Sequence, residues 1–182
     1  MKISINKIQV AEMHLNEAIY LFFGSAHPAV TETLIGAAMG VLRPLGKQYG
    51  LKAVLYDSDR IKPEYRKKWI EKHLHKVQNF SKHADRDLME ILSYETEVLH
   101  FRIFEACDLY RHISAEKNLN YRQSQSAIMY ETWFCLKYPE LLKDPVEFDS
   151  FLKNIGIPSN FSINDFESLR LVAEHHRIRL CS

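Results

Sequence analysis

The sequence predicts an all-α fold, a helical bundle of five main helices followed by two shorter C-terminal helices. Apolar residues recur at intervals of three and four along almost the whole chain, and alternation with a period of two is rare. The 182 residues are 46% hydrophobic and 26% charged, the composition of a globular protein with a substantial core. We expect a single domain over residues 1–182, with its core in residues 4–138 and a helical extension in residues 144–178.

The first two helices are predicted to form an antiparallel hairpin. The first covers residues 4–23 and is ended by Gly24-Ser25. His27-Pro28 begins the second, because proline fits the first turn of a helix. Pro44 lacks a backbone N–H and is expected to kink or loosen the final turn of this helix.

The later helices are predicted from their start and stop signals. The third begins at Pro63 and reaches about residue 84, and residues 85–92 are less regular. The fourth is expected to be capped by Ser93, and the fifth covers residues 120–137. The last two are short and begin at Asp144-Pro145 and at Ser162 or Asn164.

Composition also excludes several classes of protein. No run approaches 18 apolar residues, and the N-terminal residues lack an apolar signal core, so we expect no membrane segment and a cytoplasmic location. Cys107, Cys135 and Cys181 are far apart and are interpreted as reduced thiols. Without a Cys-x-x-Cys pair, a nucleotide-binding loop or a His-Glu-x-x-His motif, the sequence predicts no metal site and no cofactor.

Charge is distributed unevenly along the chain. Residues 1–83 hold 13 Lys and Arg against 7 Asp and Glu, whereas residues 84–182 hold 11 against 16. A basic half and an acidic half are typical of a polyanion-binding face, or of pairing between opposite patches of two subunits. The sequence therefore predicts a homodimer, an RNA-binding surface or an acidic protein partner, and leaves the choice open.

The positive charge is concentrated on the predicted third helix. On a helical wheel, Ile70, Leu74 and Val77 lie on the inner side, and His73 falls on that side as well. Four lysines, here called the lysine face, lie on the opposite side: Lys68, Lys72, Lys76 and Lys82. Lysines interleaved with hydrogen-bonding side chains suit a phosphate backbone. The candidate binding residues are Lys68, Lys72, His75, Lys76, Asn79, Lys82, His83, Asp85 and Arg86.

Other interpretations of this helix remain open. A lysine-rich helix face is most often only a solvated surface. His75, Asn79 and His83 are spaced by four, so they line one edge, and His75, His83, Asp85 or Asp87 are the possible ligands of a divalent metal. The neighbouring ammonium groups would oppose a cation there. In a purely structural interpretation, Asn79 and His83 instead tie the end of this helix to the following loop.

Three segments of the chain form a recognisable pattern, of which the last is the most specific. They are Glu17-Ala18-Ile19-x-Leu21-Phe22-Phe23, Thr33-Leu34-x-x-Ala37-Ala38-x-x-Val41-Leu42 and Asn79-Phe80-x-Lys82-His83-Ala84-Asp85-Arg86-Asp87. Through them, residues 9–140 resemble a family of bacterial all-helical proteins whose activity is not established. The resemblance implies a helical fold and no particular reaction.

A looser resemblance is to the HEPN class of helical bundles, many of which are RNases. That class uses an arginine, often followed by asparagine, and a histidine four to six residues further on to cleave RNA. The nearest local match here is Gln78-Asn79-x-x-x-His83, in which glutamine replaces the arginine. The resemblance makes His83 and Asn79 the candidate catalytic residues, with Lys82 or Arg86 in place of the missing charge.

Two functions of different classes follow from these observations. The first is a non-enzymatic binding module whose lysine face contacts RNA or an acidic protein partner. The second is a divergent HEPN-like, metal-independent RNase in which His83 transfers protons, since histidine both takes and gives a proton near neutral pH. The sequence leaves open whether the protein is an enzyme, with a lean towards binding.

Overall fold

The computed structural model describes residues 2–82, 89–116, 124–154, 156–158 and 160–168. Over these ranges the chain forms helices and no strands, which confirms the all-α fold class. His83, Asp85, Arg86 and Asp87 lie outside the described residues. The predicted start of the fifth helix and most of the predicted seventh helix lie outside them as well.

The first two helices are α1, Lys7–Phe23, and α2, Pro28–Gln48. A capping box fixes the start of α1, because the side chain of Asn6 accepts from Gln9 N at 2.9 Å and Gln9 Oε1 accepts from Asn6 N at 3.0 Å. The predicted start at residue 4 was therefore three residues early. Helix α2 continues through Pro44 to its last residue, and Gly50 reverses the chain after it with φ +70°.

The predicted third helix is not continuous. It consists of α3, Pro63–Trp69, a single π-helical segment, Ile70–Leu74, and α4, Lys76–Lys82. The wider turn is closed by a hydrogen bond from His75 N to Ile70 O at 2.8 Å, five residues back. This insertion rotates α4 relative to α3, so a wheel drawn at 100° per residue does not describe the whole segment.

The remaining helices are α5, Glu97–Glu116, α6, Gln125–Lys137, and α7, Pro145–Asn154. Helix α5 starts four residues after Ser93, so the prediction that Ser93 caps it was wrong. The predicted cap of α7 is confirmed, because Asp144 Oδ1 accepts from Val146 N at 2.9 Å and from Glu147 N at 3.0 Å. Residues 163–168 are also helical.

Helices α1, α2, α5 and α6 pack around the core, and α4 packs against α2. Each of the four helices contributes large, fully buried apolar side chains, namely Leu15, Ile19, Ile35, Met39, Leu42, Ile103, Ile113 and Tyr130. Aromatic rings extend this core towards the C-terminal part of the chain, where Phe166 lies against Phe23 with ring centroids 5.4 Å apart. None of the helices described here has the length and apolar character that crossing a membrane requires.

Candidate phosphate-binding face and the pocket beside it

A buried ion pair joins α2 to α5. Arg102 is 1% exposed and pairs with Glu32, which is 3% exposed. Arg102 Nη2 also donates to the hydroxyl of Tyr56 at 3.2 Å. Burial lowers the pKa of Arg102 to about 10, which still leaves the guanidinium charged at neutral pH. Two charges are tolerated in this core because each one balances the other.

Glu105 links this buried pair to the loop between α2 and α3. Its Oε1 accepts a hydrogen bond from Leu55 N at 2.7 Å. Burial raises the pKa of Glu105 to about 7, because desolvation disfavours the charged carboxylate. In the part of the chain that the structure describes, Glu105 Oε2 and Arg102 Nε are buried without a hydrogen-bond partner.

The same loop is fixed by a second, less buried set of charges. Arg43 donates to Asp57 through Nε at 3.0 Å and through Nη2 at 2.6 Å, and Lys47 lies 3.3 Å from the same carboxylate. Although burial opposes ionisation of this carboxyl, the hydrogen bond and charge of Arg43 lower the pKa of Asp57. Asp57 therefore ties the loop to α2.

The loop in turn positions α3. Trp69 Nε1 donates to Leu55 O at 3.1 Å, and Arg66 Nη2 donates to Ser58 O at 3.1 Å. The backbone of Leu55 is therefore held on its N–H by Glu105 of α5 and on its carbonyl by Trp69 of α3. These bonds connect the buried charges to the helix that carries the first part of the lysine face.

All four side chains of the lysine face are exposed. Lys72 and Lys76 lie on the same side, because both line one pocket. Lys76 Nζ donates to the carbonyl of Ser93, which holds the segment before α5 close to α4. Within the described ranges, no carboxylate forms an ion pair with Lys68 or Lys72, although Lys67 lies 3.9 Å from Glu71.

The structure separates the histidines of this segment. His75 is half-buried against the ring of Tyr56, with centroids 5.7 Å apart, and burial lowers its pKa. His73 is exposed and its ring lies 4.4 Å from that of Trp69, so the prediction that it sits on the apolar side was wrong. The π-helical segment explains this difference, since it changes the angular spacing between residues 69 and 75. Asn79 is half-buried on α4.

A pocket of about 370 Å³ opens beside the lysine face, between α2, the π-helical segment, α4 and the segment before α5. The buried carboxylate of Glu32 contributes to its lining, and Leu74, Val77 and Val98 supply apolar surface. Polar groups of the lining include Lys72, Lys76, Tyr94 and Glu95. Within the described ranges, no cluster of three or more His, Cys, Asp or Glu is arranged to hold a metal ion.

The sequence analysis predicted the exposed lysine face but not the buried ion pair of Glu32 and Arg102. A signal was present, because Arg102 follows Leu99 by three residues and Glu32 precedes Ile35 by three. A charged residue at the spacing of an apolar stripe indicates a buried partner. Comparisons of the chain with protein-family models, with curated proteins and with solved structures found no match. Both resemblances drawn from the sequence therefore stay predictions.

Proposed function

We propose that the protein is a non-enzymatic binding module whose lysine face contacts the phosphates of single-stranded RNA. The observation that supports this proposal most strongly is that Lys68 and Lys72 are exposed and, among the described residues, form no ion pair, on a segment that Trp69 bonds to the loop before α3. Each phosphate neutralised by a lysine releases counterions, which favours binding without requiring a particular base sequence.

An exposed aromatic ring beside the lysines favours RNA over an acidic protein. Tyr65 is 59% exposed and precedes Lys68 by three residues on α3, about one helical turn. Single-stranded nucleic acids bind where a basic surface adjoins aromatic rings on which bases stack. The rings of Trp69 and His73, tilted by 31° with centroids 4.4 Å apart, lie on the same segment and add aromatic surface beside the lysines.

The proposal is tested by fluorescence anisotropy with a labelled single-stranded RNA of mixed sequence. The variant Lys68→Gln/Lys72→Gln removes two charges from the lysine face. The matched control Lys7→Gln/Lys153→Gln removes two exposed lysines from α1 and α7 and changes the net charge equally. We expect about tenfold or greater weakening in the first variant and little change in the second.

A polyglutamate competitor separates RNA from an acidic protein as partner. We expect polyglutamate to displace the RNA only at a large excess, since it offers no bases to stack on Tyr65. Equal affinity for the two polyanions, or equal effects of the two double variants, would contradict the RNA proposal.

The RNase alternative rests on the motif that ends at His83. It would give cleavage of single-stranded RNA that persists in EDTA and is lost in His83→Ala. Binding without cleavage in the same samples supports the binding module. The predicted homodimer is tested by sedimentation at low and high salt, because pairing of basic and acidic patches weakens as salt rises.

A further inference from the structure

We propose that the pocket beside the lysine face binds one guanine nucleotide, with the base inside the pocket and its phosphate at the lysines. This inference rests on the proposed function and names the part of the RNA that the protein recognises. Lys72 and Lys76 belong both to the lysine face and to the lining of the pocket, so a strand bound to the face passes directly over the opening.

The size and lining of the pocket suit a nucleobase. Its volume of about 370 Å³ is within the range of small-molecule sites. Leu74, Val77 and Val98 provide apolar contact, and the half-buried ring of Tyr94 provides a surface for stacking. A base placed between these side chains leaves its sugar and phosphate towards the exposed lysines.

Glu32 determines which base fits best. A carboxylate only accepts hydrogen bonds, so its partner must present N–H or O–H groups. Arg102 holds the side chain in place at Oε2, which is buried, so Oε1 is the oxygen that can accept from a bound base. Guanine presents two adjacent donors, N1–H and the exocyclic amino group. Uracil presents a single N–H that lies between two carbonyl oxygens. These oxygens carry partial negative charge and are repelled by a carboxylate.

The test compares guanosine, inosine and uridine 5′-monophosphates by isothermal titration calorimetry. Inosine monophosphate differs from the guanine nucleotide only by the missing exocyclic amino group, which makes it a matched control. We expect affinity to fall at least about tenfold from guanosine to inosine monophosphate, and further for uridine monophosphate. Equal affinities for all three nucleotides would overturn the assignment of Glu32.

Blocking the pocket gives an independent test that keeps the buried ion pair intact. Val98 lines the pocket at a position that is 37% exposed, so Val98→Trp fills the space from its edge. The control Val30→Trp places the same side chain at an exposed position of α2 outside the pocket lining. We expect Val98→Trp to abolish binding of guanosine monophosphate and Val30→Trp to preserve it. Retained binding in Val98→Trp would overturn the inference.

The outcomes also separate this inference from the proposed function. Salt-sensitive binding of a uridine-only RNA, with no binding of guanosine monophosphate, would support the binding module and overturn the pocket assignment. Binding of guanosine monophosphate in the pocket without binding of any RNA strand would overturn the proposed function and support the pocket as a nucleotide site. Binding of neither would overturn both.

Discussion

Glu105 in the middle of α5 accepts a hydrogen bond from the backbone N–H of Leu55, 2.7 Å away in the loop before α3. Since Trp69 bonds the carbonyl of the same residue, one loop position connects the buried charges of the core to the helix that presents the lysines. The lysine face is therefore carried by a segment with a fixed position, which lowers the entropy that binding must overcome.

Substitutions of Glu32 and Arg102 are expected to have strongly non-additive effects on the free energy of unfolding, because the two residues form an ion pair. Replacing one partner, as in Arg102→Met, leaves a buried uncompensated charge and should cost about 3–5 kcal/mol in the free energy of unfolding. The double variant Glu32→Leu/Arg102→Met should recover much of that loss, because neither member of the pair is then left as an unpaired charge. Urea unfolding of both singles and the double measures this coupling.

An exposed ion pair on the surface provides the control for this comparison of single and double variants. Lys52 and Asp59 lie 2.8 Å apart with side chains that are 66% and 77% exposed. Lys52→Met should leave the unfolding free energy nearly unchanged, because solvent screens this exposed pair. Additive losses in the Glu32 and Arg102 variants, with no recovery in the double, would show that the two residues do not act as a pair.

Glu105 should make stability depend on pH between about 4.5 and 7. Its pKa is raised to about 7 in the folded state, above the unfolded value, so the folded protein binds the proton more tightly. Its contribution therefore favours folding at low pH and is lost as pH rises through 7. The half-buried His75 and His100, whose pKa values are lowered by burial, act in the opposite direction.

The variant Glu105→Gln isolates this contribution, because an amide oxygen still accepts from Leu55 N and no longer titrates. Between pH 4.5 and 8, the unfolding free energy of the variant should rise relative to that of the wild type by on the order of 3 kcal/mol. Chemical unfolding across this range provides the measurement. A difference that is constant with pH would mean that Glu105 does not titrate in this window.

Trp69→Phe should loosen α3 without exposing the core. The change removes the indole N–H that bonds Leu55 O and leaves an aromatic ring to pack beside His73. We expect a loss of about 1 kcal/mol in unfolding free energy and faster amide hydrogen exchange over residues 63–74 than in wild type. Tyr65→Phe is the control, because its hydroxyl is on an exposed side chain. Equal exchange in both variants would contradict a positioning role for Trp69.

Two glycines of α2 should respond differently to alanine. A Cβ on Gly36 would lie 2.6 Å from Gln78 Oε1, whereas a Cβ on Gly40 would have nothing within 4 Å. Gly40→Ala should stabilise the protein by up to about 1 kcal/mol through helix propensity. Gly36→Ala should stabilise the protein less than Gly40→Ala, because the side chain of Gln78 must move away from α2.

Adding Gln78→Ala tests whether this contact limits the gain. In that background, Gly36→Ala should stabilise as much as Gly40→Ala, since the obstructing amide is gone. Thermal unfolding of the four variants gives the comparison. If Gly36→Ala stabilises the protein equally with and without Gln78→Ala, α4 must lie farther from α2 than the structure shows.

Local signals predicted helix boundaries correctly where a cap or a proline acts within one turn. Asp144 and Pro145 specify the start of α7 through hydrogen bonds to residues two and three positions away. The π-helical segment, Ile70–Leu74, has no comparable signal in the sequence, because the spacing of Leu74 and Val77 is equally compatible with a continuous α-helix. Its omission from the sequence prediction placed His73 on the wrong side.

The candidate site was predicted only in part for the same reason. The exposed lysines follow from the composition of one helix, whereas the pocket requires contributions from α2, α4 and the segment before α5. Glu32 and Arg102 are 70 positions apart, so neither residue's local sequence indicates the other as its partner. Pairings of this kind are decided by tertiary packing.

The measurement that tests the central claim most directly is the salt dependence of RNA binding by the wild-type protein and by Lys68→Gln/Lys72→Gln. A plot of log affinity against log salt has a slope of roughly −0.7 for each phosphate contact with a single strand. If both lysines contact phosphates, the variant's slope should be shallower than the wild-type slope by about 1.4. Identical slopes for the two proteins, or binding that does not change with salt, would contradict a phosphate-binding role for the lysine face.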